Sequence, residues 1–121
     1  MEQARRPTAL VVENDELQRS LITVLLEESE MNVIQCESAE AAVKVLDQSG
    51  DGISMVFTDV ELAGLMDGIE LATIAKARFP DLQVIVTSGA PRVRRLPDGT
   101  TLMVKPWSPI DVLIAAQKSI H

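Results

Sequence analysis

Ser54-Met55-Val56-Phe57-Thr58-Asp59 and, further along, Gln83-Val84-Ile85-Val86-Thr87-Ser88 decide the fold. Each run is continuously apolar through its middle and ends on polar residues. A strand with one wet face alternates apolar with polar, whereas a strand covered by helices on both faces is apolar throughout. These runs therefore predict central strands of a parallel sheet, over Ser54 to Thr58 and Gln83 to Thr87. Working outward, Thr8 to Val12, Val33 to Cys36 and Thr101 to Val104 supply three more β-branched runs, with helically spaced stretches between them. Repeated βα units of this kind predict an α/β fold, a doubly wound five-stranded parallel sheet with helices on both faces.

The helices carry their own punctuation. Leu17, Leu21, Val24, Leu25 and Leu26 predict the apolar stripe of a helix of about four turns beginning near Asp15. Ser38 is an N-cap without a capping box for a second helix that continues through Ala42, Val45 and Leu46, is stopped by Gly50, and turns at Asp51 and Gly52. A third, near Asp67 to Phe79, presents Ile69, Leu71, Ala72 and Ala75 and ends before Pro80. The last opens at Ser108-Pro109, serine capping and proline in the first turn. The fourth unit differs: Pro91, Pro97 and Gly99 leave room for at most about two turns between the fourth and fifth strands.

With 121 residues the chain suits one domain spanning 1–121, residues 1–7 forming a flexible N-terminus. No apolar run approaches the length of a membrane span, and Arg5 and Arg6 are not followed by the apolar segment of a secretory signal, so a cytoplasmic protein without membrane contact is expected. Cys36 has no cysteine to pair with and reads as a half-buried strand thiol. A net charge of −7 argues against direct nucleic-acid binding. The local basic cluster Arg92, Arg94 and Arg95 reads as a solvated loop, with docking the alternative.

In a doubly wound sheet the loops at the carboxyl ends of the strands converge on one crevice. Here those ends carry Glu13 and Asn14, Asp59, Thr87 and Ser88, and Lys105. Carboxylates suit a hard ion such as magnesium, while a lysine and a hydroxyl can hold phosphoryl oxygens. An aspartate can be a covalent nucleophile once a cation offsets the building charge, and Asp59 is the best placed candidate. Simpler readings exist for each residue: a turn-capping aspartate, a solvated lysine, a strand threonine. Trp107 reads as packing against the sheet edge rather than binding a ligand.

Leu10-Val11-Val12-Glu13-Asn14-Asp15, Phe57-Thr58-Asp59, Val86-Thr87-Ser88-Gly89 and Val104-Lys105-Pro106-Trp107 stand in an order that resembles the receiver domains of two-component response regulators. The resemblance covers nearly the whole chain. It implies a flavodoxin-like strand order 2-1-3-4-5, Asp59 as phosphoacceptor, and Mg2+ bound by Glu13, Asp59 and the main-chain carbonyl of Glu61, where Asn14 can still offer its side-chain carbonyl oxygen in place of a second acid. It implies too that Thr87 and Lys105 hold the phosphoryl oxygens and that the Lys105–Pro106 bond is cis, and Arg19 matches a common position on helix one. The implied partners are a histidine kinase or histidine phosphotransferase as donor and a downstream protein target. The implied state is a monomer or a phosphorylation-dependent dimer, a signalling domain rather than an independent enzyme.

The chain departs from that pattern in three places. Where most receivers place two acids it has Glu13 then Asn14. Two carboxylates about 5 Å apart repel by roughly 3 kcal/mol at an effective dielectric of 20, so the substitution relieves the empty site and predicts weaker magnesium binding with phosphorylation retained. Leu102 replaces the usual inward-swinging aromatic residue, so the loop Ala90 to Asp98 is expected to respond instead. Ala63-Gly64-Leu65-Met66-Asp67-Gly68 matches the loop after the phosphoacceptor, with one extra residue and no Met-Pro pair. The other readings are a receiver cut from a longer hybrid kinase or regulator and a pseudo-receiver that binds constitutively. A flavodoxin-like cofactor binder is disfavoured because Glu13 to Glu16 would repel a phosphate, and a hydrolase because the sole histidine is His121.

Overall fold

The structure, a computed structural model, describes residues 6–89 and 94–120. In chain order the elements are β1 (Thr8–Val12), α1 (Glu16–Glu28), β2 (Asn32–Cys36), α2 (Ala39–Ser49), a 3-10 turn (Gly50–Gly52), β3 (Met55–Asp59), α3 (Gly68–Arg78), β4 (Gln83–Ser88), β5 (Thr100–Val104) and α4 (Pro109–Ile120). The strands form one five-stranded sheet in the order β2-β1-β3-β4-β5, with every pairing parallel. The expected strands lie within a residue of those observed.

Side-chain alternation sorts the apolar residues between two layers. Leu10, Val12, Val56, Val84 and Val86 meet Ala39, Ala42 and Leu46 of α2 and Ile69, Leu71, Ala72 and Ala75 of α3. Ala9, Val11, Met55, Phe57 and Ile85 meet Ile22, Leu25 and Leu26 of α1 and Val112, Ala115 and Ala116 of α4. β1, β3 and β4 are thus buried on both faces, which is what their unbroken apolar runs require.

Local chemistry sets the helix ends. Asp15 caps α1 by accepting from Gln18 N (3.0 Å), and Ser38 caps α2 by accepting from Ala41 N (3.1 Å). Asp67 and Glu70 make a full capping box at α3. Ser108 and Asp111 cap α4 reciprocally, Ser108 N donating to Asp111 Oδ2 (2.8 Å). Lys105–Pro106 is cis.

Several expectations change. The inward face of α1 is Ile22, Leu25 and Leu26, while Leu17 (83% exposed), Leu21 and Val24 face solvent. At 100° per residue the two sets centre roughly 130° apart around the helix, so the sequence carries two adjoining apolar stripes and only one meets the sheet. Gly50 does stop α2, as expected; its φ is −55° and the chain tightens there into the 3-10 turn. Glycine is needed there because an added Cβ would lie 2.2 Å from Phe79 Cζ. Trp107 packs edge-to-face on Phe57 of the central strand β3, ring centroids 6.2 Å apart, rather than on the sheet edge. Arg94 pairs with Asp67 at 2.6 Å, while Arg92 lies outside the described residues.

Between β4 and β5 the described residues 94–99 contain no helix, in line with the shortened fourth unit. The expectation for the loop Ala90 to Asp98 falls partly on residues 90–93, and that for the N-terminus mostly on residues 1–5, all outside the described residues. Pro7 is tied down, its carbonyl accepting Asn32 N at 2.9 Å. Among the described residues no helix is long and apolar enough to cross a membrane.

Candidate functional site

The site forms where β1, β3 and β5 reach the carboxyl edge of the sheet. Val11 stands opposite Phe57, so Glu13 and Asp59, two residues on, are neighbours across the β1–β3 ladder. Asp59 is in register with Thr87, and Thr87 with Met103, which leaves Lys105 two residues beyond the end of that row. The lysine reaches back: its Nζ donates to Asp59 Oδ2 at 2.8 Å, and its main-chain N–H donates to Ser88 O at 2.8 Å. The other Asp59 oxygen, Oδ1, accepts from Glu61 N at 3.3 Å.

Glu13, Asn14, Asp59, Glu61 and Lys105 wall one crevice of about 350 Å³, together with Asp15, Gln18, Leu62 and Ala63. Thr87 is 2% exposed and stands outside that wall, across the ladder from Asp59. Ser88, one residue further, ends β4, so the strand closes on two adjacent hydroxyls. A larger cleft, around Phe79, Pro80 and Leu82, opens at the amino ends of the strands, remote from this chemistry.

Glu13 is 3% exposed and its Oε2 has no hydrogen-bond partner. Burial, and after it the charge of Asp59, pushes its carboxyl up to about 7, against the opposing pull of Lys105. Asp15 adds to the rise. The acid displaced one position from the expected pair thus still acts on the crevice through its charge while it caps α1. Its dual position was open to view in the sequence, since Asp15 stands next to Asn14 and before the first apolar-periodic residue. Arg19 fixes Glu13 from the other side, Nη1 donating to Glu13 O at 2.9 Å and Nε to Gln35 Oε1 at 3.3 Å.

Sequence reasoning did not find Glu40. Its Oε2 accepts from Leu65 N (2.9 Å) and Met66 N (3.0 Å), so the first turn of α2 holds the connection from β3 to α3. That connection is closed at its base by Gly68 N donating to Val60 O (2.9 Å), and Val60 N in turn donates to Thr87 O (2.9 Å).

A parallel doubly wound sheet whose carboxyl edge sets two acids against one lysine defines a class, the α/β domains with an ionic crevice at the strand ends. The particular family follows from comparison. The profile of the response regulator receiver domain matches residues 9–109, and the chain belongs to that family. It is a receiver domain of two-component signalling.

Relatives show the same module inside larger proteins. The chain is 35% identical over 81 residues to a cyclic di-GMP phosphodiesterase of Thermotoga maritima, covering 67% of this chain and 21% of that protein. It is 28% identical over 90 residues to the autoinducer 1 sensor kinase/phosphatase LuxN of Vibrio campbellii, covering 74% of this chain and 10% of that protein. Among solved structures, a response regulator receiver domain protein from Clostridium thermocellum superposes with a TM-score of 0.84 at 22% identity, covering 94% of each chain, which shows a shared fold.

Proposed function

We propose that the chain takes a phosphoryl group from a phosphohistidine onto Asp59 and signals through changed protein contacts. The observation that carries this reading is the three-way meeting of Glu13, Asp59 and Lys105 in one crevice, with the lysine on one Asp59 oxygen at 2.8 Å.

The attacking group is an Asp59 carboxylate oxygen. It forms a bond to phosphorus as the bond from phosphorus to the donor's imidazole nitrogen breaks, and the imidazole keeps the electron pair and takes a proton. Lys105 holds the carboxylate oriented before attack and then transfers its hydrogen bond to a phosphoryl oxygen. A hydroxyl at the end of β4, from Thr87 or its neighbour Ser88, holds a second oxygen. Single alanine variants at the two positions separate them. The donor is a histidine kinase or a histidine phosphotransferase, and it approaches past the first turn of α1, where Gln18 walls the crevice and Leu17 stands exposed.

The crevice suits magnesium. Glu13 Oε2 is a buried acceptor without a donor, a lone pair that a cation satisfies. Among the described residues no three His, Cys, Asp or Glu side chains are placed to hold a metal together, so the donor set is Glu13, Asp59, the Asn14 side-chain carbonyl and the main-chain carbonyl of Glu61. Magnesium, when bound, offsets the charge between the carboxylates and the phosphoryl oxygens.

Intact mass after incubation with magnesium and acetyl phosphate tests the reading. The wild-type chain should gain one phosphoryl group and Asp59→Asn none. No gain in the wild type at tens of millimolar magnesium would overturn it in favour of a constitutive binding module, and a gain restored by Asn14→Asp would place the defect at the metal.

A further inference from the structure

The crevice wall Glu61–Ala63 belongs to a connection with no regular structure of its own between β3 and α3, yet its position is fixed at several points. Its base is closed by the Gly68–Val60 hydrogen bond, and Ala63 makes an isolated bridge to Ser38. Its tip rests on one side chain, Glu40. The Glu40 carboxylate accepts two consecutive N–H groups, those of Leu65 and Met66, across 25 and 26 residues of sequence. Its second oxygen, Oε1, is buried and has no hydrogen-bond partner, and the carboxyl is held below its ordinary range by its own main-chain N–H and then by those of Met66 and Leu65. Gly64 is shaped to this contact: its φ is +98°, and an added Cβ would lie 2.8 Å from Glu40 Oε1. The carboxylate is not part of the crevice wall.

We infer that Glu40 is a positioning residue for the phosphoryl-transfer site: by holding the tip at Leu65 and Met66 it fixes the Glu61–Ala63 wall, and with it the Glu61 carbonyl beside Asp59. The inference rests on the phosphoacceptor reading for its consequence, though not for its geometry. The physical logic is that of outer-shell partners, which orient a ligand without touching the metal. Glu61 is held at its own N–H by Asp59 Oδ1, at 3.3 Å, and the far end of its loop is held by Glu40, so the wall is tied at both ends and the far tie comes from another element.

The test uses the full chain and two variants. Glu40→Ala removes both acceptors, while Glu40→Gln keeps one neutral carbonyl oxygen for the same N–H groups. Initial rates of labelling by acetyl phosphate are measured against magnesium concentration. Glu40→Ala should raise the half-saturating magnesium roughly 10-fold, as outer-shell losses do, with the rate at saturating magnesium changed much less. Glu40→Gln should recover most of that shift. Val45→Ala, elsewhere on α2, reports the effect of destabilising the helix alone and should leave the magnesium dependence unmoved. An unchanged magnesium dependence in a folded Glu40→Ala chain overturns the inference, as does an equal shift in Val45→Ala. Amide exchange without magnesium or phosphodonor decides the geometry separately: the amides of residues 61–66 should exchange roughly 10-fold faster in Glu40→Ala and near wild-type rate in Glu40→Gln. If the wild type takes no phosphoryl group at all, the phosphoacceptor reading fails on the first assay while the exchange still rules on Glu40, and equal exchange in all three chains overturns it.

Discussion

The connection from β3 to α3 and the connection from β4 to β5 dispose of their backbones in opposite ways. The first, residues 60–67, ties five of its N–H groups into the fold: Val60 on Thr87 O, Glu61 on Asp59 Oδ1, Leu65 and Met66 on Glu40, Asp67 on Glu70. In the second, the described residues 94–99 have no helix and stay near the surface, held by Thr100 N on Pro97 O, the partial burial of Leu96 and the Arg94–Asp67 pair. Among the described residues, the connection that walls the crevice is the one with more of its backbone donors tied to neighbouring elements.

The sharpest way to break the ordered connection is at its base. A Cβ at Gly68 would lie 1.9 Å from Asp59 O and 2.7 Å from Asp59 C, both backbone atoms that cannot swing aside. Gly68→Ala should therefore cost about 3 kcal/mol, at the upper end for overpacking, and should move Asp59 itself. Urea denaturation reads the stability, and a cost below about 1 kcal/mol would show that the β3 end is softer than its hydrogen bonds imply.

The next prediction concerns charge in the crevice. Glu13 has its folded-state carboxyl raised from 4.5 to about 7, so the fold binds that proton more tightly than the unfolded chain does. The resulting stability is fully present below pH 4.5, declines as the pH climbs through the interval up to about 7, and is absent above it. Without magnesium the wild-type melting midpoint should fall on the order of 5 °C between pH 5 and pH 8 relative to Glu13→Gln. The comparison with glutamine matters because the net charge of −7 gives every variant some slope of its own. Parallel curves for the two chains would mean that Glu13 is not the titrating group.

The same contrast explains what could be read from the sequence. The central strands were legible because burial on both faces leaves an unbroken apolar run, and the caps at Asp15, Ser38 and Ser108 because the capping oxygen and its N–H lie three residues apart. The meeting of Glu13, Asp59 and Lys105 was legible because a parallel sheet brings strand ends together whatever their separation in sequence. Two stripes on α1 could not be ranked, since Leu17, Leu21 and Val24 keep helical spacing as well as Ile22, Leu25 and Leu26 do. Only the placement of the sheet distinguishes them. The site hydroxyl is sensitive to a shift of one residue, because neighbours on a strand point to opposite faces. The Glu40 contact left no pattern at all, for its partners are main-chain N–H groups that any residue would supply. Gly64 was the one visible trace, a glycine whose positive φ the turn requires.

The smallest effect expected tests the looser connection. Asp67 divides its carboxylate between two tasks: Oδ1 accepts Ile69 N and Glu70 N at 2.9 Å each, and Oδ2 accepts Arg94 Nη2 at 2.6 Å. The first task caps α3 and belongs to the ordered connection, and the second ties residue 94 of the other connection to it. Asp67→Ala removes both and should cost about 1–2 kcal/mol, as lost N-caps do. Arg94→Ala removes only the second, a pair whose side chains are 55% and 29% exposed, and should cost at most about 0.5 kcal/mol, vanishing in high salt. Amide exchange at residues 96–99 should nevertheless quicken in Arg94→Ala while residues 68–72 keep their protection, because a pair with little bearing on global stability can still limit local opening. Equal losses in the two variants would mean that the cap itself depends on Arg94. The two connections would then open as one unit, and the contrast between an ordered loop and a loosely tethered one would fail at the residue that joins them.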